Sequence, residues 1–570
     1  MAEQAKGNWK IWALVAALLV VGGGYFGTKV YMEKKMVADI ERTLANLPGG
    51  FVLKAENIAV NSLSKSAVLT KVTGSGKVNG KTITLSADSA ESKGINLHAF
   101  EKRGVTSLGD SLTLRNVKIA GAGVNVSIGL YQLEKVEGDF LAISEQSGKL
   151  SAIIKAGKAA DRAKGAEGAK KAQADLLAAI QDGALLDAFE TLSIGKSRLE
   201  NYAITMDTGP VKMNMSADLA ESNGINLRAF KEQGVTNLID SLNALNVKLN
   251  VQDVKAAAPG IPSMMDASIG RYQLEKVQGD FFAIAEQSGK LFKAGIAADR
   301  AKRAKDAEGS KKAEADLLAA LQGGALDALE TLRIGKARVE KYSVTMNLSS
   351  AKQPEAPKFT LRMDSAEGTD YFLTHSGPMS GRGLVVEMND KPLASLEEMS
   401  LKSMDMPLNK ELLKQGAGAK PSFKNLTMSM QDLRLKKLGI ILPMREQEKI
   451  SLEDFSFSIS LNKGSGTLGL KVGALDLPTT LLVRDNPQGS ALLTRGLLPP
   501  RILLNANEDI GFTGKENDLF DMLVKSDAAI KDFGAVVFSG DLLDIPTSGH
   551  KEPRLRKLGM DFEPSSMEIS

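Results

Sequence analysis

Apolar and polar residues alternate one for one in three well separated stretches of the chain. Ile83, Leu85 and Ala87 interleave with Thr82, Thr84 and Ser86; Val211, Met213, Met215 and Ala217 with Lys212, Asn214 and Ser216; Phe359, Leu361 and Met363 with Thr360, Arg362 and Asp364. A period of two sends successive side chains to opposite faces of a strand. Each stretch therefore predicts a strand that is apolar on one face and wet on the other, the pattern of antiparallel sheet. Ile83, Leu85, Val211, Met213, Met215, Phe359, Leu361 and Met363 mark its candidate apolar face, which is either a closed core or a ligand groove. Shorter alternating runs, "FKNLTMSM", "FSFSISL" and "GTLGLKV", separated by Gly, Asn and Pro, predict a mainly β region after the linker "AKQPEAPK" at Ala351. The closing "DFEPSSMEIS" reads as a loose tail.

Helical spacing enters in two forms. "NLHAFEKRG" and "NLRAFKEQG" predict short helices, with Asn96 and Asn226 as N-caps and Gly104 and Gly234 as the residues that follow the last turn. Ala156 to Leu192 and Gly295 to Leu332 predict longer Ala-rich helices, in which Leu176, Leu177, Ile180, Leu185, Phe189 and Leu192 recur at helical spacing.

These elements come in copies. Ser86 to Ile119 and Ser216 to Leu249 match without a gap at 22 of 34 positions, which marks a duplication. The likeness continues through "SIGLYQLEKVEGDF" and "SIGRYQLEKVQGDF", and a fainter third copy opens at "FTLRMDSAEGTDYF". Each unit is far longer than a solenoid repeat of about 20–50 residues. The predicted fold is α+β and β-rich, with an N-terminal transmembrane helix, duplicated units of antiparallel strands plus a long Ala-rich helix, and a mainly β C-terminal domain. Its boundaries are a tail at 1–10, an anchor at 11–28, a helical stalk with the first strands at 29–80, repeat units at 81–210 and 211–350, and the C-terminal domain at 351–570.

The anchor is "IWALVAALLVVGGGYFGT" from Ile11 to Thr28, free of charge and long enough to span as a helix at about 1.5 Å per residue. Trp9, Trp12 and Tyr25 sit where amphipathic rings favour the headgroup region. Gly23 and Gly27 form a GxxxG pattern that fits helix dimerisation, so a homodimer is one expectation. A single-pass bacterial inner-membrane protein with its large C-terminal region in the periplasm is the expected localisation.

Composition narrows the chemistry. Lys plus Arg number 72 against 68 Asp plus Glu, a net +4 that gives no reason to expect nucleic acid. Zero cysteines exclude disulfides and thiolate chemistry. His98, His375 and His550 share no ligand spacing, "GKS" at Gly195 lacks the first glycine of a P-loop, and Ser62 with Lys65 lacks the companion motif of a penicillin-recognising enzyme. Glu134 with Asp139 and Glu275 with Asp280 recur in both copies and read as a charged strand-turn edge. Met213 with Met215, Met404 with Met406, and Met428 with Met430 read as fillers of an apolar face rather than a copper site. No catalytic residue, metal ligand or cofactor is expected.

The span, the following "FVLKAENIAVNSLSKSAVLTKVTGSGKVNGKTITLSAD", and the segments "LRIGKARVEKYSVTM" and "PLASLEEMSLKSMDM" resemble bacterial envelope proteins of the YdgA-like and AsmA-like families. The AsmA-like resemblance implies a β-rich groove that presents an apolar surface to phospholipid; the YdgA-like one implies no particular activity. Two readings follow: a non-enzymatic, membrane-anchored envelope protein that acts as a scaffold for protein partners, and a lipid-binding or lipid-transfer protein with an apolar β-groove.

Overall fold

The computed structural model describes residues 52–61, 64–78, 81–94, 102–143, 190–207, 211–253, 264–288, 326–347, 357–372, 374–406, 427–442, 448–483, 486–515, 519–546 and 554–564, with isolated positions between them such as 40, 44 and 99. The chain divides into two compact units, residues 1–255 with 271–286 and residues 256–270 with 287–570.

In the first unit, β3 (Ser66–Val78), β4 (Lys81–Lys93), β5 (Thr106–Gly121), β6 (Val124–Gly138), β7 (Ser193–Asp207), β8 (Val211–Asn226) and β9 (Thr236–Asp253) follow one another as an antiparallel meander. Two short strands, β1 (Val52–Lys54) and β2 (Asn57–Asn61), share the free edge of β3. β10 (Met264–Gly279) carries the second copy of the β6 sequence.

The second unit is also a meander, of β11 (Arg333–Asn347), β12 (Lys358–Phe372), β14 (Met379–Met388), β15 (Lys391–Leu401), β17 (Met428–Ile441), β18 (Lys449–Asn462), β19 (Ser465–Pro478), β20 (Arg501–Gly514), β21 (Leu519–Ile530), β22 (Gly534–Pro546) and β23 (Arg554–Pro564). The small strands β13 (His375–Ser376) and β16 (Ser403–Asp405) bridge β12 to β17.

Alternation along these strands shifts phase at a line that crosses them. Asp88, Asp218 and Asp364 each lie in register between left-handed residues on both neighbouring strands: Lys71 and Asn116, Asn201 and Asn246, Lys341 and Gly383 respectively. Asn116 donates to Asp88 at 2.7 Å, and Asn246 donates to Asp218 at 2.7 Å. A left-handed residue advances the side-chain phase by one, so an isolated shift would send the rest of a strand to the wrong face. Here β3, β4 and β5 shift at the same level. Leu69 and Val72, Ala87 and Ala90, and Leu114 and Val117 therefore share one buried face although each pair is three residues apart.

Three expectations need correction. Among the described residues the fold is predominantly antiparallel β with only short helices, not α+β with long helices. Within the second Ala-rich span the one continuous described helix is Leu326–Glu330, of five residues, with isolated helical positions such as 295, 308, 309, 312 and 315 before it, and the strand at Arg333 follows; the first span, up to Phe189, lies outside the described residues. Asn226 does cap its successor, but that successor is a four-residue 3-10 turn, Leu227–Phe230. The expected tail begins inside β23, which runs to Pro564.

Localisation is corrected too. No helix among the described residues is long and apolar enough to cross a membrane, the longest complete one, Pro487–Thr494, having eight residues where about 20 are needed. Ile11 to Thr28, with Gly23 and Gly27, lies outside the described residues. A single-pass inner-membrane anchor is thus without structural support.

Candidate functional site: the apolar sheet face

The duplicated strands meet two different fates. In the first copy, Leu85, Ala87, Ala90, Leu114, Val117 and Ile119 are buried in one cluster, with Ile83 packed against it. The helical residues Ile40 and Leu44, one turn apart, and Leu53 on β1 belong to the same cluster, and all three come from outside the repeat. In the second copy the equivalent face is open. Ala217 and Ala244 are buried, whereas Met213, Met215, Val247 and Leu249 are only half-buried. Leu85 is 2% exposed; its counterpart Met215 is not part of the core.

The second unit carries an open face over ten strands, β12, β14, β15 and β17 to β23. Registered rows build it. Leu435 faces Phe455, Phe455 faces Val472, Val472 faces Ala506, and Ala506 faces Ala528. A parallel row passes through Leu433, Phe457 and Leu470. Phe359, Leu361 and Met363 begin the face on β12, where Phe359 faces Met388 and Leu361 faces Val386. Five of its larger side chains, Leu396, Leu401, Leu452, Leu461 and Val524, are buried, while Phe455, Phe457, Leu468, Leu470, Val472 and Ile510 stay half-buried. At about 4.8 Å per strand, nine steps carry this surface across about 43 Å. One carboxylate interrupts it: Glu508 stands in register between Leu470 and Ser526.

In each unit the face opposite the apolar one is charged, and the same ladder of ion pairs appears on β7 and β8 of the first and on β11 and β12 of the second. Arg198 pairs with Glu200 at 2.6 Å and with Glu221 at 3.3 Å, which Lys196 approaches to 3.5 Å. Arg338, Glu340, Glu367 and Lys336 reproduce the arrangement at 2.5, 3.5 and 3.0 Å. Partly exposed pairs of this kind contribute up to about 1 kcal/mol each, so they orient the sheet more than they stabilise it. Further along, the Lys436 ammonium hydrogen-bonds Glu398 and holds its carboxyl below the usual range.

The residues singled out for chemistry take up other tasks. Asp139 accepts from Ala142 N and Gly104 N, both at 2.9 Å, and Asp280 repeats this with Ala283 N at 2.9 Å and Gly234 N at 3.1 Å. Each caps the helical turn after its strand and pins the preceding loop, while Glu134 and Glu275 accept from Gln132 and Gln273. Gly195 lies inside β7 rather than in a phosphate loop. Met404 faces Met430 across two strands, as apolar neighbours do. His98 and His550 have no described side chain.

One pairing was invisible in the sequence. His375 Nδ1 meets Asp405 Oδ1 because β13 pairs with β16, although the two are 30 positions apart and no spacing signals the contact. The neighbouring Ser376 hydroxyl donates to the Gly377 carbonyl at 3.1 Å, so it is not aligned as a nucleophile on that imidazole. Among the described residues no cluster of three or more His, Asp or Glu is arranged to hold a metal. Comparison with protein-family models, with curated proteins and with solved structures found no match, so the functional reading rests on the sheet itself.

Proposed function

We propose that the chain is a non-enzymatic lipid-binding protein that holds phospholipid acyl chains along the apolar face of its second unit. The observation that carries this reading is the run of registered, half-buried Leu, Phe, Ile and Val side chains over ten consecutive strands. A contiguous, partly accessible apolar surface of that extent fits an interaction site. Acyl chains suit it because each buried methylene contributes about 0.8 kcal/mol without needing a polar partner. The charged opposite face stays in water.

The test is native mass spectrometry of the full-length chain released from a mild non-ionic detergent. Phospholipid at stoichiometric level, lost in Phe455→Asp and Leu470→Asp variants, is the expected result. No lipid above that carried by an unrelated protein from the same detergent contradicts the proposal.

A scaffold reading has its own observation. Leu482, Leu492 and Leu497, on and beside the short helices Thr479–Leu482 and Pro487–Thr494, are all exposed apolar residues away from the strand rows. A lipid-free chain would leave that knob as the surface for a protein partner.

A further inference from the structure

Among the described residues, the last strand of the second unit ends the meander with one side unpaired. β23 pairs with β22 along Gly534↔Pro564 to Leu543↔Arg554, and β22 is its only strand partner among the described residues. A bare edge is a template for another strand, and natural proteins usually blunt it with inward charges, bulges or proline. β23 has an irregularity opposite Asp541/Leu542 and a proline at its end, yet between them it carries two of the most exposed large apolar side chains, Leu558 at 56% and Met560 at 66%. Both stand on the apolar face, since Leu558 faces Gly540 and Met560 faces Phe538 across the β22 ladder.

The sequence of this strand, "RLRKLGMDFEP", is polar in the electrical sense: Arg554, Arg556 and Lys557 lie before Gly559, and Asp561 and Glu563 after it. Such a strand complements itself when reversed. We propose that two copies of this chain associate through β23, antiparallel and in register about Gly559. That register sets Leu558 of each copy against Met560 of the other on the apolar face, and Lys557 against Asp561 on the charged face. A parallel in-register pairing would oppose like charges, Lys557 on Lys557 and Asp561 on Asp561. Gly559 suits the centre of the pair because the strand is already crowded on its β22 side, where a Cβ would lie 2.7 Å from Ser539 Oγ. By the two-fold operation the same contact is made twice, which closes the assembly at a dimer. The apolar face then continues from one copy into the next. This association does not depend on whether the face holds lipid.

Charge exchange tests the register in the full-length chain by sedimentation equilibrium in a mild non-ionic detergent. The wild-type chain is expected to sediment at twice its mass of 60.7 kDa. Lys557→Asp and Asp561→Lys should each weaken association by about tenfold or more, because two attractive pairs become two repulsive ones. The double exchange, and an equimolar mixture of the two single variants, should restore it. The chain has no cysteine, so a mild-oxidation test is clean: Leu558→Cys and Met560→Cys chains should cross-link to each other in preference to themselves. A monomeric wild type, a dimer indifferent to both charge variants, or cross-links without preference for the mixed pair would each overturn the proposal. The last two outcomes would identify a dimer built elsewhere.

Discussion

At the scale of single residues, the sheet depends on a few backbone positions that a side chain cannot occupy comfortably. Gly224 has φ +64°, and a Cβ there would meet the Asp240 carboxylate at 1.9 Å. Gly224→Ala should therefore lower stability by roughly 1–2 kcal/mol in urea unfolding. Gly469→Ala, where φ is ordinary and the nearest atom is 3.6 Å away, should leave it unchanged or slightly higher. Tyr131 gives a pH test. Burial pushes its phenol up to about 12, against 10.0 for a free tyrosine. The folded state keeps the proton where the unfolded chain gives it up, so this stabilisation is complete below about pH 10 and is lost as pH rises towards 12. It amounts to about 2–3 kcal/mol. Tyr131→Phe should flatten the alkaline fall in unfolding midpoint without abolishing it, because burial also raises Tyr202 and Tyr371. An unchanged alkaline slope would show that Tyr131 is not shielded.

At the scale of elements, duplicated sequence does not mean identical packing. Leu85 lies under Ile40, Leu44 and Leu53, while Met215, its copy on β8, has open surface beside it. Leu85→Ala should cost about 3 kcal/mol and Met215→Ala under about 1 kcal/mol, read from denaturation midpoints. Equal costs would mean that the second copy is closed as tightly as the first. Asp280→Ala should cost about 1–2 kcal/mol through the lost cap and the released Gly234 loop. These elements were legible in the sequence to different depths. Alternation in "KTITLSAD" revealed β4 up to Asp88, but the phase shift there hid the rest, and only the parallel recurrence of Asp88 with Asn116 and Asp218 with Asn246 hinted at it. The Ala-rich segments misled the fold class because helical spacing in them outweighed, on paper, the strands on either side. The closed and open faces could not be told apart at all, since the residues that close the first copy lie outside the repeat.

At the scale of the whole molecule, period-two alternation predicts the same strand whether its apolar side meets a helix, another sheet or an acyl chain. Along the second unit's strands the apolar side chains range from buried to half-buried. Its charged face is stitched by ion pairs such as Lys436 with Glu398 and Arg501 with Asp476, and its apolar face has no second layer of sheet among the described residues. The measurement that addresses this most directly is photo-cross-linking of the full-length chain with a phosphatidylcholine carrying a diazirine in its acyl chain, followed by peptide mapping. Labels concentrated on Phe455, Phe457, Leu470, Val472 and Ile510, and sparse on Lys436, Lys471 and Lys525, are the predicted result. Labels spread evenly over both faces, or absent from the second unit, would contradict a lipid-binding sheet.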